Sequence, residues 1–153
     1  YVAQNERADY LRYHALHATL STQWSGLSWF QPKLTMAGNL SWKKPDAFSA
    51  TDNLLKNAYY SLTMDFYPIS KLRLYADFSQ SVFEIAHSHY SVNSFLNAGL
   101  RYDFHPRWMV SADLSNLLNR KDYEVSLYQG ANFQYYHVPL RGREFLVSLR
   151  FKY

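Results

Sequence analysis

Hydrophobic and polar residues alternate at every second position in several stretches of the sequence. In residues 58–66 the even-numbered positions are hydrophobic, and the positions between them are mostly polar. The same period of two recurs in residues 72–78, 96–104, 108–115 and 145–153. A period of two is that of a β-strand with two unlike faces, and helical spacing is nowhere sustained. The pattern therefore predicts an all-β protein.

Three prolines mark a repeat within this pattern. Pro32, Pro68 and Pro106 each follow a phenylalanine by two residues and precede a lysine or arginine, at a spacing of about 37 residues. Each repeat predicts an up-strand, a long loop, a down-strand and a short proline turn. The predicted long loops are residues 45–55, 85–92 and 119–139.

Strands joined by short turns at one end and long loops at the other are typical of a transmembrane β-barrel wall, whose strands need about 9–11 residues. We predict a transmembrane antiparallel up-and-down β-barrel, with one face of each strand in contact with lipid. The predicted strands are residues 8–24, 33–43, 56–67, 71–84, 93–104, 107–118 and 140–153.

Aromatic residues make up 18% of the chain, and many of them lie at the ends of predicted strands. Aromatic side chains at both membrane interfaces form girdles around such barrels. The predicted girdle residues include Trp24, Trp29, Phe30, Trp42, Phe66, Tyr67, Phe104 and Trp108.

The last strand alternates up to the final residue, which is aromatic. This pattern resembles the C-terminal signal by which the barrel assembly machinery recognises outer-membrane proteins, with Tyr153 in place of the usual phenylalanine. The resemblance implies a wall strand that ends at the periplasmic rim of the bacterial outer membrane. The signal residues would be Phe145, Val147, Leu149, Phe151 and Tyr153.

Charge and cysteine content exclude some classes of function. The formal charge is +4, from 16 basic and 12 acidic residues, and the basic residues are scattered, which argues against a nucleic-acid partner. Cysteine is absent, so disulfides and thiolate metal sites are excluded within this chain. No apolar run approaches the roughly 18 residues of a membrane-spanning helix.

The strand count predicts an incomplete barrel. Complete bacterial barrels have even strand numbers, and a seven-stranded sheet in lipid would leave two backbone edges unpaired. The chain also begins at Tyr1 without a methionine. We therefore expect residues 1–153 to form a single, incomplete domain, the C-terminal segment of a larger barrel.

The stretch "ADLSNLLNRKDYE", followed by "YYHVPLRGREFLVSLRFKY", resembles the C-terminal end of TonB-dependent outer-membrane receptors, particularly those of Bacteroidetes. In that family the penultimate strand carries an Asn-Leu-rich motif, and the closing strand opens with Pro-Gly-Arg. Here Leu140 and Arg141 separate the proline from the glycine. The matching residues are Asn116, Leu117, Leu118, Asn119, Arg120, Tyr123, Pro139, Gly142 and Arg143.

The resemblance implies a barrel of about 22 strands with a plugged lumen. It also implies uptake of a nutrient or chelate, energised through a periplasmic TonB contact, with no enzymatic activity and no cofactor. Expected partners are outer-membrane lipid, the assembly machinery, the rest of the barrel with its plug, TonB and a surface lipoprotein.

Ligand contact is predicted in the longest loop. Aromatic faces and amide groups suit sugars, peptides or aromatic chelates, although aromatic loops also fold upon themselves. His87 and His89 are weak candidates for a metal site, since a third ligand is not evident. No serine, histidine and carboxylate form a recognisable nucleophile setting. The predicted ligand residues are Tyr128, Gln129, Asn132, Phe133, Tyr135 and Tyr136.

The charged residues at inward-facing positions have two interpretations: they line a path for a solute, or they form a ladder of paired charges. The inward charges are Arg73, Asp77, Arg101, Asp103, Asp113, Arg141, Arg143 and Arg150.

Two other classes of protein also remain open. One is a non-transporting barrel, acting as an anchor or complex subunit or as a small closed barrel of the OmpX type. The other is a soluble β-sandwich or lipocalin-like binding module.

Overall fold

A computed structural model describes residues 13–43, 53–86, 89–129 and 132–153. These residues form β-strands joined by turns and short irregular segments. None of the described residues belongs to a helix long and apolar enough to cross a membrane. The strands are β1 (Tyr13–Gln23), β2 (Phe30–Lys43), β3 (Asn53–Ile69), β4 (Leu72–Ala86), β5 (His89–His105), β6 (Trp108–Ser115), β7 (Asp122–Gln129), β8 (Asn132–Pro139) and β9 (Glu144–Phe151).

Seven strands form one antiparallel sheet in the order β1-β2-β3-β4-β5-β6-β9. Sequential strands are neighbours, so the sheet has the predicted up-and-down topology, and the predicted all-β class and number of sheet strands are confirmed. β7 and β8 form a separate hairpin inserted between β6 and β9. Within the described residues, β1 and β9 each pair along one edge only.

The strand register places the hydrophobic positions of neighbouring strands on the same side of the sheet. Leu34 lies opposite Leu62, Leu62 opposite Phe78, and Phe78 opposite Leu96. Residues directly opposite each other share a face. Away from the β-bulges, this side, which we call the apolar face, carries the even-numbered residues of β1 to β6 and the odd-numbered residues of β9. The opposite side is called the polar face.

The apolar face is exposed, and the buried positions are mostly polar. Leu20 on β1 and Leu149 on β9 are each 62% exposed. Among the described residues, the buried hydrophobic side chains are Leu55 and Met109, and both lie on the polar face. In the part of the chain that the structure describes, hydrophobic side chains therefore do not gather in a buried core. The buried polar residues are Ser41, Ser81, Glu84, Ser91, Asn93, Asn116 and Ser126.

The C-terminal alternation behaves as predicted in β9. Phe145, Val147, Leu149 and Phe151 lie opposite apolar-face residues of β6, from Leu114 to Trp108. Tyr153 lies beyond the end of the strand. Their role as an assembly signal remains a prediction.

The three connections at the turn end of the sheet are short, but two prolines are not in them. The turns are residues 24–29, 70–71 and 106–107. Pro32 lies inside β2 opposite Met64, and Pro68 lies in β3 at a register shift. Proline is tolerated at bulges and strand ends because its missing N–H is not needed there.

Two predicted loops are wrong. β4 extends to Ala86 and β5 begins at His89, so most of residues 85–92 belongs to strands. Residues 119–139 contain the β7–β8 hairpin. Of the loop predicted at 45–55, residues 53–55 begin β3, and residues 45–52 lie outside the described residues, as do residues 8–12 of the first predicted strand.

Aromatic side chains cluster at the turn end of the apolar face. The Trp29 and Phe66 rings meet edge to face at 5.5 Å, and the Trp108 and Phe151 ring centroids are 4.7 Å apart. Trp42 lies at the opposite end of β2. Tyr67 differs from the other predicted girdle residues because it lines a recess on the polar face.

Candidate functional site

Residues 116–121, which we call the asparagine turn, connect the sheet to the hairpin. Asn116 and Asn119 have left-handed backbone conformations, with φ of 52° and 57°. Asparagine adopts this conformation more readily than most residues. β6 therefore ends at Ser115, and the predicted strand to residue 118 is too long.

The buried Asn116 side chain ties both ends of the insertion together. Its Nδ2 donates to the carbonyl oxygens of Arg120, at 2.7 Å, and Arg141, at 2.8 Å. Its Oδ1 accepts a hydrogen bond from the Arg120 N–H at 2.8 Å. One side chain thus joins the chain entering β7 to the chain entering β9.

The asparagine turn is bound to the part of β5 that β6 does not reach. The β5–β6 pairing ends at Ala98. Beyond it, the Leu117 N–H donates to the Leu96 carbonyl at 2.8 Å, and the Arg120 Nη2 donates to the Val92 carbonyl at 2.5 Å. These bonds satisfy backbone acceptors along an edge that would otherwise be open.

The two motifs that carry the family resemblance contact each other. A Cβ atom at Gly142 would lie 2.9 Å from the Asn119 Oδ1, so a larger residue would displace that side chain. Arg143 Nε donates to the Leu117 carbonyl at 2.9 Å. A side chain at residue 142 would therefore require Asn119 to adopt another side-chain conformation.

The hairpin lies on the polar face and is held mainly by Asn93. This side chain is fully buried, donates to the Glu124 carbonyl at 2.6 Å and accepts from the Glu124 N–H at 3.2 Å. Ser126 Oγ donates to the Glu84 carbonyl at 2.6 Å. An asparagine side chain that pairs with both backbone groups of one residue takes the place of a neighbouring strand.

Tyr123 adds an apolar contact to this attachment. Its ring centroid lies 6.2 Å from that of Phe83 and 6.1 Å from that of Phe95. Both phenylalanines are on the polar face, in the half of the sheet away from the short turns. The tyrosine of the resemblance motif is therefore a packing residue in this structure.

The side chains of Glu124 and Tyr135 interact on the hairpin through a hydrogen bond. The pKa of Glu124 is lowered first by the Ser91 hydroxyl and then by the Tyr135 hydroxyl, because both favour the ionised carboxylate. The hydrogen bond to Glu124 in turn raises the pKa of Tyr135. The pair favours an ionised Glu124 and a neutral Tyr135.

All six predicted ligand residues belong to this hairpin. Tyr128 lies opposite Phe133 and Gln129 opposite Asn132, and only the backbone of these four residues is described. Tyr135 and Tyr136 are each 46% exposed and, as sequence neighbours in β8, point to opposite faces of the strand. Their contact with a ligand stays a prediction.

The described residues hold no group of three or more histidine, cysteine or acidic residues that could bind a metal ion. His89 is exposed at the start of β5, and His87 lies outside the described residues. The ring of His14 stacks on Trp42 at 5.5 Å, and His17 Nε2 is 2.9 Å from Thr19 Oγ1.

Acidic groups on the polar face are paired with hydroxyl groups as well as with arginines. Asp77 accepts a hydrogen bond from Thr63 at 2.8 Å. Tyr75 reaches across Gly99, where a Cβ atom would come within 2.6 Å of its ring, and donates to Asp113 at 2.5 Å. The predicted ladder of paired charges therefore consists partly of hydroxyl–carboxylate bonds.

Ion pairs between arginines and carboxylates account for only part of the predicted ladder of charges. Arg73 Nη2 lies 2.7 Å from the Asp65 Oδ1, whereas the closest atoms of Arg101 and Asp103 are 3.9 Å apart. Arg141 and Arg143 precede β9, so they do not belong to the strand ladder.

Sequence reasoning missed Asn93, Glu84 and Ser126. The bond from Asn93 to Glu124 joins residues 31 positions apart, and the bond from Ser126 to Glu84 joins residues 42 positions apart. No local sequence pattern indicates such contacts. Asn116 and Asn119 did carry a signal, because asparagines after a strand favour a left-handed turn.

No protein-family model, curated protein or solved structure matches the chain. The class defined by the fold is an all-β chain with an antiparallel up-and-down sheet.

Proposed function

We propose that this chain is a wall segment of a bacterial outer-membrane β-barrel. The observation that carries the proposal is the inverted polarity of the sheet, with hydrophobic side chains exposed on one face and polar side chains such as Ser41, Ser81 and Asn93 buried on the other. In water, an apolar surface of this extent would favour aggregation. In a bilayer, the same face is solvated by lipid chains.

The length of the apolar face supports this environment. Phe30 and Trp42 mark the aromatic ends of β2, and the strand between them extends about 40 Å at about 3.3 Å per residue. A tilt of about 45° reduces that length to a height of about 28 Å, close to the apolar band of transmembrane barrels, about 25 Å tall.

The open edges favour a larger barrel. Within the described residues, β1 and β9 each have one edge without a partner strand. Lipid offers no hydrogen bonds to an exposed strand edge, so a membrane sheet must close. Closure around a lumen facing the polar side would need further strands, and the family resemblance implies about 22.

The narrower proposal is a TonB-dependent receptor that imports a nutrient or chelate, with its C-terminus in the periplasm. It rests on the resemblance of residues 116–153, and the mutual contacts of Asn119 with Gly142 and of Leu117 with Arg143 are consistent with a shared structural motif. The plug, TonB, the assembly machinery and a surface lipoprotein are proposed partners.

Single cysteines test which face meets lipid. The chain has no cysteine, so Leu62→Cys on the apolar face and Ser61→Cys on the polar face can each carry a spin label. In vesicles containing the intact mature protein, we expect the label at 62 to collide with oxygen and the label at 61 with a water-soluble nickel complex. Equal access of the nickel complex to both labels would contradict the membrane proposal.

The intact mass of the mature polypeptide tests the receptor proposal. A mass several times 18.0 kDa, together with uptake that is lost when TonB is deleted, is the expected result. A mass near 18.0 kDa would contradict it and favour a small closed barrel. A large barrel without TonB-dependent uptake would favour the structural anchor.

A further inference from the structure

The polar face contains a recess of about 260 Å³ near the turn end of the sheet. It lies beside the turn that joins β3 to β4, far from the hairpin. We call it the arginine recess. Its lining residues are Tyr67, Ser70, Lys71, Arg73, Arg101 and Asp103.

Two arginines lie directly opposite each other in this recess. The register of β4 and β5 pairs Arg73 with Arg101. Like charges at directly opposite positions on neighbouring strands are destabilising. A cross-strand arginine pair therefore needs a source of negative charge nearby.

The carboxylates of the chain neutralise this pair incompletely. Asp65 binds Arg73 closely, with 2.7 Å from its Oδ1 to Nη2 and 2.9 Å to Nε. Asp103 lies 3.9 Å from Arg101, and both side chains are more than 40% exposed. Such a long and exposed contact contributes little.

Lys71 adds a third positive charge at the same place. Among the described residues it forms no ion pair, and its backbone carbonyl accepts a hydrogen bond from the Asp103 N–H at 2.9 Å. That bond fixes the turn beside Arg101. Three cations against two carboxylates leave a net positive charge, and Tyr67 and Ser70 contribute hydroxyl donors.

We propose that the arginine recess binds an oxyanion, the phosphate or carboxylate group of a small solute. Guanidinium groups donate parallel hydrogen bonds to such anions, and an ammonium group adds a point charge. The anion would lie between Arg101 and Lys71 and offset the repulsion from Arg73. This inference does not depend on transport or on TonB.

The first test measures binding to the intact mature protein in nonionic detergent at low ionic strength. Calorimetric titrations use inorganic phosphate in one arm and citrate in the other, with chloride of equal ionic strength as the reference. Binding of phosphate alone or of citrate alone identifies which anion the recess takes. Binding of neither overturns the proposal.

Variants then locate the site. Arg101→Gln is expected to weaken binding about tenfold or more, because it removes a charge-assisted bidentate donor. Arg150→Gln is the matched control, since it removes the same charge from the polar face of β9, outside the recess. Equal weakening in both variants would show a diffuse charge effect and would contradict a defined site.

A stability measurement separates anion binding from a structural role of Arg101. Without the anion, Arg101→Gln relieves the like-charge pair, so its melting temperature should equal or exceed that of the wild type. The added anion should stabilise the wild type more than the Arg101→Gln variant, because the variant binds it more weakly. If Arg101→Gln lowers the melting temperature equally in chloride and in the anion, Arg101 is structural and the proposal fails.

Discussion

The two faces of the sheet are built on different principles. On the apolar face, Leu62 lies between Leu34 and Phe78, and any hydrophobic neighbour of similar size would serve. On the polar face, neighbours are specific, as in the bonds from Thr63 to Asp77 and from Tyr75 to Asp113. Directed bonds thus organise the polar face, whereas the contacts on the apolar face are non-directional.

The largest effect is expected from a charged residue on the apolar face. If the apolar face contacts lipid as proposed, Leu62→Arg should destabilise the protein by about 2–4 kcal/mol, because lipid poorly solvates a charge near the middle of the apolar band. Urea unfolding of the intact protein in lipid vesicles measures the change. Ser61→Arg on the polar face is the control and should cost much less. Equal losses would mean that the two faces have the same environment.

The next effect concerns the asparagine turn. Asn116→Ala removes three side-chain hydrogen bonds and places alanine at a φ of 52°, so we expect a loss of about 2–3 kcal/mol in the same assay. Asn116→Gly keeps the backbone freedom and should lose less. Asn119→Gly should stay within about 0.5 kcal/mol of the wild type. An Asn116→Ala variant as stable as the wild type would rule out the proposed role of this side chain.

A smaller and local effect is expected at Asn93. Asn93→Ala leaves the N–H and carbonyl of Glu124 unpaired, at a cost of about 1–2 kcal/mol. Hydrogen exchange of residues 122–139 should become faster, while exchange in β2 and β3 should not change. Asn39→Ala, on the same face but away from the hairpin, is the control. Unchanged protection of residues 122–139 would contradict the attachment through Asn93.

The smallest effect is a shift in titration on the hairpin. The pKa of Tyr135 is raised from 10.0, so its bond to Glu124 stabilises the hairpin below that pH and is lost as the pH rises. The pKa of Glu124 is lowered from 4.5, so its contribution is present above that pH and is lost as the pH falls.

Carbon NMR of labelled tyrosine measures the Tyr135 midpoint, and the Tyr135→Phe variant assigns the resonance. Glu124→Gln should return the midpoint towards 10.0. A midpoint that is the same in the wild type and in Glu124→Gln would show that the two groups do not interact.

Sequence patterns predicted the elements whose signal is local. Alternation located five of the seven sheet strands. The predicted strand in residues 33–43 ends where β2 ends, at Lys43. Boundaries near Pro32 and Pro68 were less accurate. The sequence does not distinguish a proline near the end of a strand from a proline in a turn. Proline is found at both places because neither needs the N–H that a regular strand ladder requires.

The β7–β8 hairpin was wrongly predicted as a loop, because much of what holds it lies far away in the sequence. Residues 122–139 are rich in aromatic and polar residues. Tyr123, Val125 and Leu127 alternate with polar residues in β7, so a strand signal was present there, but residues 132–139 of β8 do not alternate clearly. The conformation of the two strands depends on their pairing with each other and on contacts of Asn93 and Ser126, which join residues far apart in the chain. No window of local sequence contains those partners.

The sequence by itself determined the alternation in five of the seven sheet strands, and therefore which of their residues share a face, because side-chain direction in a strand has a fixed period of two. Tertiary structure decided three further features: the attachment of the hairpin to the polar face, the closure of the insertion by Asn116, and the opposition of Arg73 and Arg101. Each depends on register and on contacts between distant residues, which a period along one strand does not specify.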